Sequence, residues 1–227
     1  MLMVAERIVQ IQERVSRACQ TSGRPPDAVR IVVVTKTVPV PAINEVIAAG
    51  LHEIGENRVR EYLRKRSSLL PHEFHFIGHL QRNKVKSILS FCDWIHSVDS
   101  LALAEEIQRH ARALGRTVRV LIEVNVSGEA SKSGIEVDAA ATLAQAIAAM
   151  PEMHLRGLMT VAEYVEDPER ARRSFRRLRE TRDALRAELQ DPNFNQISMG
   201  MSNDYEVAIE EGATMIRLGT AIFGQRS

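Results

Sequence analysis

Short hydrophobic runs rich in β-branched residues alternate along the chain with longer segments in which hydrophobic residues recur every three or four positions. The run Ile31–Val34 is hydrophobic at every position, which is typical of a strand that is covered on both faces. Ahead of it, Val4, Ile8, Ile11 and Val15 have the spacing of one face of an amphipathic helix. This alternation predicts βαβ units and a parallel sheet.

The pattern contains eight candidate strands with helical patterns between them. The candidate strands are Ile31–Thr35, His52–Gly55, Phe74–Ile77, Trp94–Val98, Val118–Val126, Leu155–Thr160, Gln196–Met199 and Thr214–Leu218. The helical patterns include Leu101–Leu114, Val137–Met150, Pro168–Leu189 and Asn203–Glu211. Eight strands each followed by a helix, without a flexible linker, predict one α/β domain over residues 1–227, a (β/α)8 or TIM barrel. Periodicity leaves an open doubly wound sheet as the alternative.

Composition removes several classes of function. Of the 227 residues, 44% are hydrophobic and 26% are charged, so the chain can bury a core, and disordered or low-complexity classes are excluded. The 30 Lys and Arg residues against 29 Asp and Glu residues give a net charge of +1. A dedicated nucleic-acid binder carries a strongly basic surface, so no nucleic-acid partner is expected.

The cysteines and the amino-terminal segment indicate the compartment. Cys19 and Cys92 lie far apart and form no CxxC pair, so neither a disulfide framework nor a zinc cluster is expected, and the predicted location is a reduced cytoplasm. Charged residues interrupt the hydrophobic pattern of residues 1–20, which therefore predicts neither a signal peptide nor a membrane span. His75 and His79 are four residues apart, but across a strand and a loop, so no metal site is predicted.

A lysine follows the first predicted strand, at the end of the barrel where active sites lie. Lys36 comes directly after Thr35 at the end of a hydrophobic run, where burial would favour the neutral, nucleophilic amine. A neutral amine forms Schiff bases with aldehydes and ketones, which is the chemistry of pyridoxal phosphate proteins and of some aldolases. The alternative is a lysine that extends from the barrel mouth into solvent.

Two later loops have the composition of a phosphate site. Barrels commonly bind phosphate between the loops after strands seven and eight. The segment Ser198–Asp204 supplies two hydroxyl groups and a glycine, and Asn203 with Glu206 has the spacing of a capping box that opens a helix. The segment Arg217–Thr220 adds a guanidinium group and another hydroxyl. Ordinary strand-to-helix turns, which also favour Gly, Ser and Asn, are the alternative.

Eight arginines lie in the segment Arg170–Arg186, where Phe175, Leu178 and Leu185 have helical spacing. The simplest interpretation is an outer helix that packs on the barrel with its arginines facing water. Binding of an acidic partner or of RNA is the alternative that this local charge leaves open. The basic loop Gln81–Lys86 has the same two interpretations.

Several separated segments occur together in the order found in one known family. They are Val34–Thr37, Gly55–Arg58, His75–Lys84, Gly157–Thr160, Ser198–Asp204 and Arg217–Gly224. With these segments, essentially the whole chain resembles the YggS/PROSC family of pyridoxal phosphate-binding proteins, also called the pyridoxal phosphate homeostasis proteins. The resemblance implies a fold-type III barrel like the amino-terminal domain of bacterial alanine racemase, here as a single domain without the carboxy-terminal β domain.

The resemblance also implies roles for particular residues. Lys36 would form the Schiff base with the cofactor, pyridoxal 5′-phosphate (PLP). The other implied cofactor-binding residues are Ser198, Gly219 and Thr220 at the phosphate, Arg217 at the pyridine nitrogen or the phosphate edge, and Asn57 and Met159 along the ring. An arginine near the pyridine nitrogen disfavours protonation of that nitrogen and weakens the cofactor as an electron sink, which suits a carrier better than an enzyme.

The implied function is PLP binding in vitamin B6 and amino/keto acid homeostasis, without robust catalysis. Racemases of this barrel type take a second base from the carboxy-terminal β domain. The chain ends at Ser227, just after the eighth strand, so a non-catalytic carrier or regulator is expected. The expected partners are PLP and PLP-dependent client enzymes, and the expected state is a monomer. The alternatives are an amino-acid racemase or related fold-type III enzyme, and a phosphosugar aldolase that uses Lys36.

Overall fold

The strands of the chain close into a parallel barrel that helices surround. The structure is a computed structural model, and it describes residues 3–129, 132–162 and 166–225. The strands are β1 (Arg30–Val34), β2 (Glu53–Glu56), β3 (Glu73–Phe76), β4 (Trp94–Val98), β5 (Val118–Asn125), β6 (Ile135–Glu136), β7 (Met153–Met159), β8 (Gln196–Ser198) and β9 (Met215–Leu218). The α-helices are α1 (Val4–Thr21), α2 (Val40–Ala48), α3 (Val59–Lys65), α4 (Val85–Ile88), α5 (Leu101–Ala113), α6 (Ala140–Ala148), α7 (Arg172–Leu189), α8 (Tyr205–Glu210) and α9 (Thr220–Phe223).

Eight of these strands pair side by side in the order β1, β2, β3, β4, β5, β7, β8 and β9, and β9 pairs with β1 to close the ring. These pairings are parallel. The closed ring confirms the predicted (β/α)8 barrel over the open sheet, which would have left two edge strands unpaired. Strand β6 has two residues and pairs with the end of β5 outside the ring. It is too short to carry a hydrophobic pattern, so the sequence analysis did not find it.

Each predicted strand is present, with ends that differ from the prediction by at most two residues, and Trp94–Val98 is predicted with both ends correct. Helices differ more where a 3-10 turn precedes them, because the turn shares the helical hydrophobic pattern. The predicted capping box is wrong. Helix α8 begins one residue after its N-cap, Asp204, and not after Asn203. The carboxylate of Glu206 instead accepts a hydrogen bond of 2.8 Å from Arg14 of α1.

The two 18-residue helices, α1 and α7, pack on the outside of the barrel. Helix α1 packs against α8 and α9, and its buried residues are Ile8, Ile11, Val15, Ala18 and Cys19. Helix α7 buries Phe175, Leu178 and Leu185, which confirms the predicted hydrophobic face of an outer helix. Within the described residues, no helix combines the length and the hydropathy that crossing a bilayer requires.

Several arginines of α7 are paired within the protein and do not simply face water as predicted. The Glu211 carboxylate is 4% exposed and lies 3.3 Å from Arg172, 2.8 Å from Arg176 and 3.4 Å from Arg179. Three guanidinium groups around one buried carboxylate lower the pKa of Glu211 against the effect of its burial. The pairing joins α7 to the segment after α8, a contact that helical periodicity does not show.

Gly157 of β7 marks a close approach between two barrel strands. A Cβ atom at this position would lie 1.8 Å from the carbonyl oxygen of Gln196 in β8, far inside van der Waals contact. The backbone of Gly157 also has a positive φ of 153°. The pairing of β7 with β8, which positions the loops at the carboxyl end of the barrel, therefore requires glycine here.

Candidate functional site

A cavity of about 550 Å³ opens at the carboxyl ends of β1, β8 and β9. This is the end of the barrel where the sequence analysis placed the site. The lining includes Lys36 after β1, Ser202 and Asp204 after β8, and Arg217, Gly219 and Thr220 at the end of β9. Four of the residues predicted to bind the cofactor, Lys36, Arg217, Gly219 and Thr220, therefore share one cavity.

Lys36 lies in an exposed turn and not at the buried strand end that the sequence suggested. Strand β1 ends at Val34, and Thr35 is buried whereas Lys36 is exposed. The expected burial of the amine is therefore wrong, but Lys36 lines the cavity at the barrel mouth. The next residue, Thr37, has a φ of 61°, which is rare for a β-branched side chain, and its N–H donates a hydrogen bond to the Glu61 carboxylate. The turn that carries Lys36 is held by this contact.

A network of ion pairs below the turn holds its backbone. The Nζ of Lys65 donates to the carbonyl of Thr35 at 2.9 Å, to Oε1 of Glu56 at 3.0 Å and to Oε1 of Glu61 at 2.6 Å. Glu56 is fully buried and accepts a further hydrogen bond of 3.2 Å from the Thr35 hydroxyl. The sequence analysis did not identify these residues. The sequence feature that could have indicated part of this network is the i, i+4 spacing of Glu61 and Lys65, which is typical of an ion pair on one helix.

Backbone N–H groups converge on one oxygen position in the cavity wall. The N–H groups of Ala221 and Gly219 donate to Oγ of Ser202 at 3.1 and 3.4 Å. The loop reaches this position through Gly200, which has a φ of 89° and whose added Cβ would lie 2.6 Å from Cβ of Ala208. These two N–H groups can therefore donate to an oxygen at this position, and a phosphate oxygen would take them in place of the Ser202 hydroxyl, whose own proton is then available to donate to the phosphate.

The guanidinium group of Arg217 lies at the base of the cavity and is 4% exposed. Its Nη1 donates to Oγ of Ser198 at 2.6 Å, and its Nη2 donates to the carbonyl of Thr160 at 2.7 Å. Burial lowers the pKa of Arg217 to about 10, and the carboxylates of Glu123 and Asp204 oppose this shift. Arg217 is therefore charged at neutral pH, and two of its five N–H donors are held from below the cavity.

The other three predicted residues do not line this cavity. Ser198 is fully buried, and its hydroxyl lies between Arg217 and Nδ1 of His96, which is 3.0 Å away. Met159 is buried in a small hydrophobic cluster with Val32 and other barrel residues. Asn57 lines a neighbouring cavity of about 540 Å³ at the ends of β2 and β3. Ser198 and Met159 are the last residues of β8 and β7. Both side chains are fully buried inside the barrel, below the cavity.

Glu123 of β5 is a buried carboxyl group that the sequence analysis did not identify. It is 5% exposed, and burial raises its pKa to about 7. The charge of Asp99 adds to this rise, whereas Arg217 and His79 oppose it. A carboxyl group with this pKa exchanges its proton near neutral pH, next to the guanidinium of Arg217. The sequence feature that indicates it is a glutamate between the hydrophobic residues Val120–Ile122 and Val124.

Comparison with known proteins shows the family of the chain. Residues 8–227 match the family described as alanine racemase, N-terminal domain. The pyridoxal phosphate homeostasis protein of Aquifex aeolicus (strain VF5) is 45% identical over 223 residues, which cover 97% of this chain and 97% of that protein. The chain belongs to the pyridoxal phosphate homeostasis protein family. The resemblance inferred from the sequence motifs is thereby confirmed.

Solved structures agree with this family assignment. An unknown protein from Bifidobacterium adolescentis is 40% identical in sequence and has a TM-score of 0.91, and the match covers 97% of this chain and 94% of that one. PipY from Synechococcus elongatus PCC7942, in a structure with PLP bound, is 33% identical with a TM-score of 0.85 over 98% and 100% of the two chains. Alanine racemase from Corynebacterium glutamicum is 17% identical with a TM-score of 0.69, over 95% of this chain and 61% of that one. At this distance, the likeness to the racemase shows the fold alone.

Proposed function

We propose that this chain binds PLP covalently through Lys36 and serves intracellular PLP homeostasis as a carrier or regulator without robust catalysis. The observation that carries the proposal is the cavity in which an exposed lysine, converging N–H donors and a buried arginine lie together. These groups match the aldehyde, the phosphate and the ring of PLP. The names of the relatives and the PLP bound to PipY support the same ligand.

Different residues of the cavity would bind different parts of PLP. PLP supplies an aldehyde that condenses with a lysine amine, and Lys36 is the lysine in the cavity lining. Ser202, Gly219 and Thr220 would hold the phosphate, which is largely dianionic at neutral pH. Arg217, charged and fixed at the base, would face the ring and disfavour protonation of its nitrogen. Contacts of Asn57 and Met159 with the ring stay predictions.

A carrier should release its cofactor to other proteins. We expect PLP-loaded protein, freed of unbound cofactor, to restore activity to the apo form of a PLP-dependent enzyme, and to leave L-alanine unracemised in a chiral assay. The same transfer from protein whose lysine adduct has been reduced with borohydride is the control, because that PLP cannot leave. Rapid formation of D-alanine, or failure of the unreduced protein to transfer PLP, would contradict a carrier role. Client enzymes and the monomeric state are further predictions.

Substitution of Ser198, at the end of β8, and of Ser202, in the loop that follows, distinguishes two positions of the phosphate. Ser202→Ala is expected to raise the PLP dissociation constant by roughly one to two decades, because a hydrogen bond to a charged group contributes about 1.5–3 kcal/mol. Ser198→Ala is the matched control and is expected to weaken binding less, since its hydroxyl lies below Arg217 and outside the cavity. Titration with PLP, followed by visible absorption, measures both constants. A larger loss of PLP affinity in Ser198→Ala than in Ser202→Ala would instead assign the phosphate to Ser198.

A further inference from the structure

Four buried polar side chains from four different strands form a continuous hydrogen-bonded chain inside the barrel. Nη1 of Arg217 lies 2.6 Å from Oγ of Ser198, and that hydroxyl lies 3.0 Å from Nδ1 of His96. Nε2 of His96 lies 3.0 Å from Nδ1 of His75. The four residues come from β9, β8, β4 and β3 and are at most 4% exposed. We call them the histidine chain, and neither phosphate binding nor the bond to Lys36 uses its two histidines.

The histidine chain ends at two carboxylates at the opposite end of the barrel from the cavity. Nε2 of His75 lies 3.3 Å from Oε2 of Glu53 and 3.8 Å from Oε2 of Glu73. These glutamates are the first residues of β2 and β3, whereas Arg217 lines the cavity at the carboxyl ends of the strands. The hydrogen bonds therefore run from Arg217 at the candidate site to His75. Nε2 of His75 and Oε2 of Glu53 have no hydrogen-bond partner among the described residues, so the contact of His75 with the carboxylates at the amino-terminal end is electrostatic.

The carboxylates at this end also suggest a metal site, which their surroundings disfavour. Ligand atoms of Glu53, Glu73 and His75 all lie within 4.8 Å of one another. However, Arg30 lies 3.4 Å from Glu53 and 3.6 Å from Glu73, and Arg119 lies 2.5 Å from Glu73. Two guanidinium groups already balance two carboxylates, so little net charge is left to attract a cation. We assign the cluster to the end of the histidine chain.

The proton positions along the histidine chain follow from its donors and acceptors. A guanidinium group only donates, so Ser198 accepts from Arg217 and directs its own proton to Nδ1 of His96. Burial lowers the pKa of both histidines, so each ring is neutral and carries one proton. With Nδ1 as its acceptor, His96 carries its proton on Nε2 and donates to Nδ1 of His75. His75 then carries its proton on Nε2, which faces Glu53.

The opposite direction of donation is unfavourable at both ends. If Nδ1 of His96 donated to Ser198, the serine proton would have no acceptor among the described residues, and a buried unpaired donor costs roughly 1–3 kcal/mol. At the other end, an unprotonated Nε2 of His75 would face the carboxylate of Glu73, whose pKa is lowered by its contact with His75 and by the charge of Arg119, so that two acceptors would oppose each other. The histidine chain therefore has one favoured direction, from Arg217 to His75.

We propose that His96 and His75 are positioning residues that act on Arg217 through Ser198. By accepting the Ser198 proton, His96 keeps the lone pairs of that oxygen turned towards Arg217, and His75 keeps His96 in the tautomer that accepts. The guanidinium is thereby held where its remaining donors face the cavity. The inference rests on the proposed function, because Arg217 meets the cofactor ring only when PLP is the ligand.

The first test uses the protein without PLP, so it is independent of the cofactor. Nitrogen-15 NMR of histidine-labelled protein at pH 7 is expected to show Nε2 protonated and Nδ1 unprotonated in both His75 and His96. A proton on Nδ1 of His96, or a doubly protonated ring, would overturn the assigned direction. This outcome is separate from the proposed function, which fails if the unmodified protein does not bind PLP.

The second test measures the visible absorption maximum of the PLP-loaded protein in variants of the histidine chain. His96→Leu removes the acceptor and is expected to displace the maximum. His96→Asn is expected to restore it, because the amide oxygen of Asn can take the place of Nδ1. Ser97→Ala is the matched control, since Ser97 is buried on the same strand but its side chain lies on the opposite face.

The outcomes of the second test discriminate a positioning role from a packing role. Loss of thermal stability in His96→Leu with an unmoved absorption maximum would overturn the proposal, as would an equal displacement in Ser97→Ala. If His96→Leu does not fold, the comparison rests on His96→Asn and His75→Leu. His75→Leu keeps Ser198 and His96 in contact but removes the group that sets the tautomer, so it is expected to lower the fraction of His96 protonated on Nε2.

Discussion

Lys36→Ala is expected to abolish the covalent attachment of PLP while leaving weaker, non-covalent binding. In the proposed binding mode the amine of Lys36 would form the covalent bond, whereas Ser202, Gly219 and Arg217, which line the same cavity, would hold the rest of the ligand independently of it. Borohydride reduction followed by peptide mass mapping should place the pyridoxyl group on Lys36 in the unmodified protein and on no lysine in the variant. The absorption band of the Schiff base should be lost with it.

A matched control for this variant is Lys86→Ala, because Lys86 is exposed on α4 and is not among the residues that line the cavity. Its labelling and its absorption should equal those of the unmodified protein. Stoichiometric labelling of another lysine in Lys36→Ala would show that the amine in this cavity is not the attachment point. Complete loss of PLP affinity in a folded Lys36→Ala protein would instead contradict the division between covalent and phosphate binding.

Gly157→Ala is expected to lower the free energy of unfolding by roughly 3 kcal/mol or more, the upper range for a substitution that overpacks a core. The added Cβ would lie 1.8 Å from the carbonyl oxygen of Gln196, so β7 and β8 must separate. A moved backbone carbonyl is costlier than a moved side chain, since the strand hydrogen bonds move with it. Urea unfolding followed by circular dichroism measures the change.

Gly115→Ala separates the steric effect from the effect of backbone conformation. Gly115 also has a positive φ, of 62°, but an added Cβ there meets no atom within 4 Å. Only the cost of placing an alanine backbone at positive φ remains, so the free energy of unfolding is expected to fall by about 1 kcal/mol. Equal losses in the two variants would show that the approach of β7 to β8 is not what requires glycine at position 157.

The order of the barrel elements and the loops that line the cavity can be predicted from the sequence. Strands such as β1 and helices such as α7 were predicted because their hydrophobic spacing is a local property of the chain. Lys36, Arg217, Gly219 and Thr220 were predicted because they follow or end strands, and all parallel strands of a barrel end on one face. These inferences need only the order of the residues.

Which side chains contact each other depends on the folded barrel and could not be predicted. Ser198 and Ser202 are both hydroxyl residues near the end of β8, and only the turn at Gly200 separates the one inside the barrel from the one in the cavity wall. The burial of Glu123 depends in the same way on the neighbours that the closed barrel gives it. The predicted capping box is absent because the carboxylate of Glu206 forms an ion pair with Arg14 of α1, a helix that is far away in the sequence but packs against α8.

The histidine chain shows the physical reason for this division. His96 and Ser198 are 102 residues apart, and neither has a neighbour in the sequence that indicates their contact. They meet because closing the barrel turns alternate side chains of every strand towards one axis, where buried polar groups must find partners. Hydrophobic spacing along one strand specifies that the strand is buried, but the partner of each inward side chain depends on the register of all the strands together.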